Sequence, residues 1–390
     1  MIDIEDRKTT ITAAFQEAFD AEPLYWSRAP GRVDLMGSHT DYNMGYVMTM
    51  TIDRDTWIAA RPRTDRKVRI RSLNVGGESV FSLDQIGHDT HVSWSNYVRG
   101  MATVVQAAGH ELQGFDALIH SNVPFGSGLS SSAAIEMATA VTLQQISGFE
   151  LDPVDMALYG QKAENEFVGV STGILDQYSS AMGKAGSALE LDCRHLTSKN
   201  VRIADGLRVV ICDTRAERNL VGSEYDDRRA QCEEGVRILQ KVDPTIQALR
   251  DVTAEQFNAL ESEMPPLVAR RCRFIIEENQ RVLDLAAVLP AYNAHALNDL
   301  FTTSYEGARD LFEIGAPAME SMMRAMTSGP GVVAARQTGA GFGGCMVALV
   351  KKGYVPQFCD HVQQAYSLET GIEPRTFAVV AAPGAGVVKF

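Results

Sequence analysis

Cysteine is sparse and scattered in this 390-residue chain: the six residues at 193, 212, 232, 272, 345 and 359 form no C-x-x-C pair and have no histidine at metal-ligand spacing. That pattern excludes a zinc ribbon or a disulfide framework and points to a cytoplasmic protein with reduced thiols. Long apolar runs are missing as well. No stretch reaches the ~18 residues that a membrane-spanning helix requires, and the opening MIDIEDRKTT is charged, without the apolar core of a secretory signal. Positive charge is in short supply, with 36 Lys and Arg against 49 Asp and Glu for a net charge of −13 and a pI near 5.1. Nucleic acid and anionic membrane are therefore excluded as main partners, and any anionic ligand must be held by local cations or helix-end amides. There is no Pro/Ser-rich linker, no internal repeat and no G-x-x-x-x-G-K-[ST], so a Walker A loop is excluded.

What is present fits an ordinary globular protein, 45% hydrophobic and too long for one core. Two domains are expected, 1–200 and 201–390, divided where the pattern shifts into helices. Residues 9–20 read as an amphipathic helix, 25–37 as a strand and turn, and 46–63 as a strand pair. KVRIRSLN and SVFSLDQI read as a hairpin around VGGE. Helical spacing marks 96–109, LSSSAAIEMATAVTLQQISG, PVDMALYGQKAENEFVG and much of 223–327, while FDALIHS, SALELDCR, LRVVICDT and 331–350 read as sheet.

Three segments carry candidate chemistry. GRVDLMGSHTDYNMGYV (31–47) gathers Arg, Ser, His, two Asp and Asn beside an apolar strand, more small polar groups than a turn needs, although its Gly, Asn, Asp and Ser can all be turn residues. PFGSGLSSSAA (124–134) feeds glycines into a serine-rich helix N-terminus, where free amides and the helix dipole suit a phosphate; a well-capped helix after a tight turn reads the same way. In AENEFVGVSTGILDQYSS (163–180), Glu164 falls on a helix and Asp176 in the loop after a glycine turn. The two carboxylates could converge on a Mg²⁺–phosphate complex or simply face solvent. GAGFGG (339–344) matches G-x-G-x-x-G formally, but the buried strand CMVALV follows it rather than a helix, so it reads as a turn where one loop braces another.

Together these segments resemble the GHMP kinase superfamily and, within it, the galactokinase family, with GRVDLMGSHTDYNMGYV like its sugar signature, PFGSGLSSSAA like its phosphate motif and TGAGFGGC like its third motif. WSNYVRG, TGILDQ, SEYDDRR and RRCRFIIEENQRVL extend the resemblance in order along nearly the whole chain. It implies an α+β, two-domain GHMP kinase fold, with a ribosomal protein S5 domain 2-like N-terminal domain, a ferredoxin-like C-terminal domain and the active site between them. It also implies ATP- and Mg²⁺-dependent phosphorylation of a sugar's anomeric hydroxyl. By position, Arg32 and Asp176 match the catalytic pair. His39, Asp41, Gly173 and Tyr225 match sugar contacts, and Gly126, Ser127, Gly128, Leu129, Ser130, Ser131, Ser132 and Ala133 match the phosphate loop. Ser132 and Glu164 match the metal ligands, and Trp94 and Tyr97 fall near the adenine pocket.

One position departs from the family. Galactokinases carry glutamate, the partner of the C6 hydroxyl of galactose, where this chain has Ser38. Serine forgoes a charge-assisted hydrogen bond of about 1.5–3 kcal/mol. It also removes a charge that would repel a C6 carboxylate by roughly 1–4 kcal/mol at ~4 Å. Galactose, galacturonate and L-arabinose are therefore all candidate substrates. A non-catalytic sugar sensor and a kinase of another superfamily branch are the rival readings, and the intact Arg32, Asp176, Ser132 and SEYDDRR weigh against both.

Overall fold

The computed structural model of the protein describes residues 4–216 and 222–390. Helix α1 (Ile4–Phe19) buries Ile11, Phe15 and Phe19, spaced four apart, against Trp57 and Leu118 of the first sheet. Strand β1 (Tyr25–Met36) is followed by β2 (Tyr46–Pro62), one continuous 17-residue strand rather than the expected pair. The charged centre of β2 reads as a turn in sequence but is satisfied within the sheet, because Asp55 accepts hydrogen bonds from both Arg7 and Arg28.

The hairpin β3 (Lys67–Ser72) and β4 (Glu78–Ser82) forms as expected. Then come α2 (Ser95–Ala107), β5 (Phe115–Ser121), α3 (Ser131–Ser147) and α4 (Pro153–Lys162), whose last turn widens into a π-helix over Ala163–Val168. Residues expected as a loop around Asp176 form α5 (Leu175–Met182) instead. Strands β6 (Ser187–Asp192) and β7 (Thr197–Arg202) follow, the latter polar and unmarked by apolar alternation. The first sheet runs β12-β1-β2-β5-β3-β4, where β12 (Gly386–Val387) is a short C-terminal strand returning to β1, with β6 paired to β2 and β7 to β6. Helices α2 to α5 pack on it around Met101, Met137 and Tyr178.

The second sheet has the order β11-β8-β10-β9, from β8 (Leu207–Asp213), β9 (Val332–Gln337), β10 (Cys345–Lys351) and β11 (Arg375–Val379). Between β8 and β9 lie α6 (Gly222–Leu239), α7 (Ala254–Leu260), α8 (Pro266–Val288), α9 (Ala294–Asp310) and α10 (Pro317–Thr327), and α11 (Val355–Thr370) follows β10. Both faces of this sheet are covered, which explains its nearly continuous apolar strands. Val210 and Met346 meet α10 and α11 on one face, while Val209, Ile211 and Val347 share a core with Val33 and Leu35 of β1 and Val282 of α8 on the other. That shared core brings the polar end of β1 against the second sheet and fixes the cleft. Among the described residues, no helix is long and apolar enough to cross a membrane.

Candidate active site

The glycine-rich turn before α3 is held in left-handed backbone conformations, with φ of +67° at Gly126, +85° at Gly128 and +59° at Ser130. α3 begins without a side-chain cap, so its first amides are open to an anion rather than closed off as in a simple capped helix. The hydroxyl of Ser130 turns away from the loop and donates to Asp176 Oδ2. Leu129 sends its side chain into the core shared by the two sheets, and its carbonyl accepts the Arg32 N–H at 3.1 Å. The second glycine turn braces this loop: Cys345 N–H donates to Ser127 O at 3.1 Å, and a Cβ at Gly339 would lie 3.3 Å from Gly128 O.

Arg32, at the polar end of β1, joins the loop to α5. Its Nη1 donates to Gly128 O at 2.6 Å and its Nε to Asp176 Oδ1 at 2.7 Å. Asp176, in the first turn of α5, thus has one oxygen on Arg32 and the other on Ser130, and its side chain retains 25% exposure toward the cleft. A carboxylate oxygen has lone pairs to spare after one such bond, so this group can still accept from a bound hydroxyl.

Beside the pair lies a cavity of about 430 Å³ whose lining includes Arg32, Asp34, Ser38, His39, Asp41 and Asp176. Gly173 and Tyr225 also face it. A Cβ at Gly173 would stand 1.7 Å from Asp41 Oδ2, so any larger residue there displaces the Asp41 carboxyl. Burial, with the charge of Asp176 adding to it, pushes the Asp41 carboxyl up to about 6. His39 has no free ring nitrogen: Nε2–H donates to Ala340 O at 2.9 Å, and Nδ1 accepts from Tyr42 O–H at 2.9 Å. Burial pushes its imidazole down to about 4, so the ring stays neutral and lines the cavity as a rigid wall.

Ser38 is not an empty corner left by a missing glutamate. Its hydroxyl donates to Asp34 Oδ2 at 2.6 Å and accepts from Arg336 Nη2 at 2.8 Å. Arg336 lies 3.3 Å from Glu278 Oε1, and Glu278 in turn accepts from Gly37 N–H, Ser304 and Arg281. Serine does remove the glutamate's charge from this position, but the Asp34 carboxyl stands one hydrogen bond away in the same wall. Sequence reasoning missed Asp34, Arg336 and Glu278. Asp34 stands two residues after Arg32 on the same strand, and alternation alone puts both on one face. Arg336 carries only the hint of a charge within an apolar strand, Glu278 is one of several charges in RRCRFIIEENQRVL, and the positions of both come from long-range packing.

Across the phosphate loop, Trp94 and Tyr97 line a narrower cavity of about 110 Å³ with Ser131, Ser132 and Ile135. Ser132 lies beside Glu164, whose Oε2 accepts from Thr172 at 2.9 Å and Gln177 at 2.7 Å. Gln177 ties the same group to Glu136, whose Oε1 is buried without a partner. Among the described residues, no group of three His, Cys, Asp or Glu could hold a metal alone. A hydroxyl and a carboxylate beside a phosphate loop nevertheless fit Mg²⁺, which takes few protein oxygens and completes its shell with phosphate and water.

A cleft with an uncapped helix N-terminus, an Arg–Asp pair and a polar cavity beyond it defines a small-molecule kinase of the GHMP type. The model of the GHMP kinases N terminal domain matches residues 96–184, and that of the galactokinase galactose-binding signature matches 13–62. Galactokinases of Roseiflexus sp. and Chloroflexus aggregans are each 42% identical to the chain, over 96% and 97% of it and 95% and 97% of their own lengths. The crystal structure of Lactococcus lactis galactokinase complexed with galactose superposes with a TM-score of 0.93 at 33% identity, over 97% of this chain and 99% of that one. Methanococcus jannaschii mevalonate kinase shares the fold at a TM-score of 0.67 and 16% identity, over 93% of this chain and 99% of its own. The chain belongs to the galactokinase family of sugar kinases, and membership implies the use of ATP.

Proposed function

We propose that the protein transfers the γ-phosphoryl group of ATP to the anomeric hydroxyl of a galacto-configured sugar, with galactose the first candidate. The observation that carries this reading is the Arg32–Asp176 pair, set between the polar cavity and the glycine loop. The halves 1–200 and 201–390 act as the two units that form the cleft. The sugar lies in the cavity against Asp41 and Tyr225, and its anomeric hydroxyl donates to Asp176. The loop amides from Gly126 to Ala133 hold the nucleotide phosphates, and the adenine lies against Trp94 and Tyr97. Ser132 and Glu164 hold Mg²⁺, which when bound neutralises phosphate charge.

Phosphoryl transfer depends on in-line placement and charge stabilisation more than on covalent help. Asp176 aligns the hydroxyl oxygen with the γ-phosphorus, and as the new P–O bond forms and ADP leaves, the hydroxyl proton passes to the carboxylate. Arg32 stabilises the charge that develops on the transferring group, and its bond to Gly128 O keeps loop and sugar in register.

A coupled assay of ADP release over a panel of sugars and non-sugar alcohols tests the reading. The expected result is turnover with galacto-configured sugars alone. Sugar binding without ADP release would make the protein a sensor, and turnover of mevalonate or homoserine would place it in another branch.

A further inference from the structure

Asp34 has no role among the sequence-derived site residues, yet it is the charged group buried deepest in the cavity wall. Its side chain is 1% exposed, lines the same cavity as Arg32 and Asp176, and holds its backbone in place through a 2.9 Å bond from Asp34 N–H to Thr338 Oγ1. One carboxylate oxygen, Oδ2, accepts from Ser38. The other, Oδ1, is buried without a hydrogen-bond partner, its nearest cation being Arg336 Nη1 at 3.9 Å. A buried acceptor with no donor is costly, so this oxygen marks a place where a ligand donor is missing.

The hydrogen bonds around it fix what that donor can be. Ser38 spends its proton on Asp34 and one lone pair on Arg336, so toward the cavity this wall offers acceptors only. Arg336 is wholly buried behind Ser38 and does not line the cavity. Its charge is already shared with Glu278, which also pairs with Arg281. With Asp34 ionised, two carboxylates face two guanidiniums and the cluster is neutral. Burial holds the Asp34 carboxyl above its ordinary value, with the charge of Glu278 adding to it and Arg336, the Ser38 hydroxyl and Arg32 opposing it.

We propose that Asp34 is the specificity-determining residue at the far end of the sugar site, accepting a hydrogen bond from a neutral hydroxyl and repelling a carboxylate in the same place. It rests on the reading of this cleft as a sugar 1-kinase site and deepens it: the substrate is a neutral hexose, and galacturonate is turned away. L-Arabinose, with nothing at C6, leaves Oδ1 unpartnered and is bound less well than galactose. A site built around a substrate hydroxyl discriminates against the analogue that lacks it.

The test compares kcat/KM for galactose, galacturonate and L-arabinose in the wild type and in Asp34→Asn, with calorimetric binding of each sugar alone. The wild type is expected to favour galactose over galacturonate by about tenfold or more, and Asp34→Asn to shrink that ratio by about tenfold, chiefly through a gain for galacturonate. KM is expected to move more than kcat. A folded Asp34→Asn with an unchanged ratio, or a wild type that prefers galacturonate, overturns the proposal. If Asp34→Asn does not fold, Ser38→Ala decides: the ranking of galactose over galacturonate persists if Asp34 reads the sugar, and its collapse overturns the proposal. Sugar binding with the expected ranking but no ADP release would sink the kinase reading and leave Asp34 standing, whereas failure of all three sugars to bind overturns both.

Discussion

At the end of the cleft proposed to hold phosphate the polar groups come from main chain, set by glycines at 126 and 128 with positive φ and by the uncapped start of α3. At the sugar end they are side chains held by partners far away in sequence: Asp34 by Thr338, Ser38 by Arg336, and the Gly37 amide by Glu278. The contrast follows from the chemistry each end must perform. Phosphate oxygens are read by any convergent set of N–H donors, which a short glycine turn supplies alone. Telling one hydroxyl pattern from another requires fixed donors and acceptors of known sign, and here the paired members of a buried network hold Asp34 in place while its Oδ1 is left without a donor.

Asp176 stands where the two ends meet, and its loss is expected to have the largest effect on turnover. Asp176→Asn should lower kcat by about 10²–10⁴-fold while leaving the thermal melt within a few degrees of wild type. Steady-state kinetics and circular dichroism check it, and retention of more than about a tenth of kcat would contradict the role.

The sugar end should also be the end on which the fold depends more. Glu278 is fully buried and serves Gly37, Ser304, Arg281 and Arg336. Glu278→Ala leaves two guanidiniums short of a counter-charge and should cost about 3–5 kcal/mol in denaturant unfolding. A loss under about 1 kcal/mol would mean that the network relaxes and does not fix the sugar wall.

Gly126 offers the matching test at the phosphate end. No atom lies within 4 Å of where its Cβ would be, so Gly126→Ala introduces backbone strain without a clash. The cost should be about 1–2 kcal/mol, appearing as a raised KM for ATP with the sugar KM unchanged. An equal rise in both would show that the ends are not separable.

The smallest effect concerns acid stability. Burial pushes His39 and His120 down to about 4. Between the ordinary imidazole value near ~6.5 and ~4, the unfolded chain therefore binds protons that the folded protein refuses, and stability falls as pH falls through that window. Asp41 works in the opposite sense, because its folded carboxyl, raised to about 6, takes up a proton before the unfolded one does and adds stability as pH falls. His120→Gln keeps an acceptor for Arg7 and should reduce the loss between about pH 7 and 5 by roughly 1 kcal/mol, the partial exposure of the ring having been discounted. Denaturant unfolding at the two pH values measures it, and an identical loss in both proteins would remove His120 from the acid response.

The same contrast explains what the sequence discloses. The loop of Gly126, Gly128 and Ser132 is legible because turn and helix-start chemistry is local, Arg32 is marked only by resemblance to the family, and the strand after GAGFGG is legible from its unbroken apolar run. Asp176 reads as a candidate in a loop, and the structure places it on a helix, since eight residues of α5 give too short a window to show a helical period. Ser38 is visible as a departure from the family, but its consequence is not. The carboxylate that changes the meaning of that departure is four residues away, and the arginine behind it is 298 residues away, brought together only when β1 packs on β9.

The most direct measurement is the position of the phosphate on the product. Galactose labelled with ¹³C at C1 is incubated with the protein, ATP and Mg²⁺ and followed by ³¹P and ¹³C NMR. The cleft as described should yield a phosphomonoester whose phosphorus couples to the labelled carbon, in step with ADP formation, and Asp176→Asn should yield almost none. Phosphate attached to any other carbon, or inorganic phosphate released while the sugar remains unchanged, would contradict it.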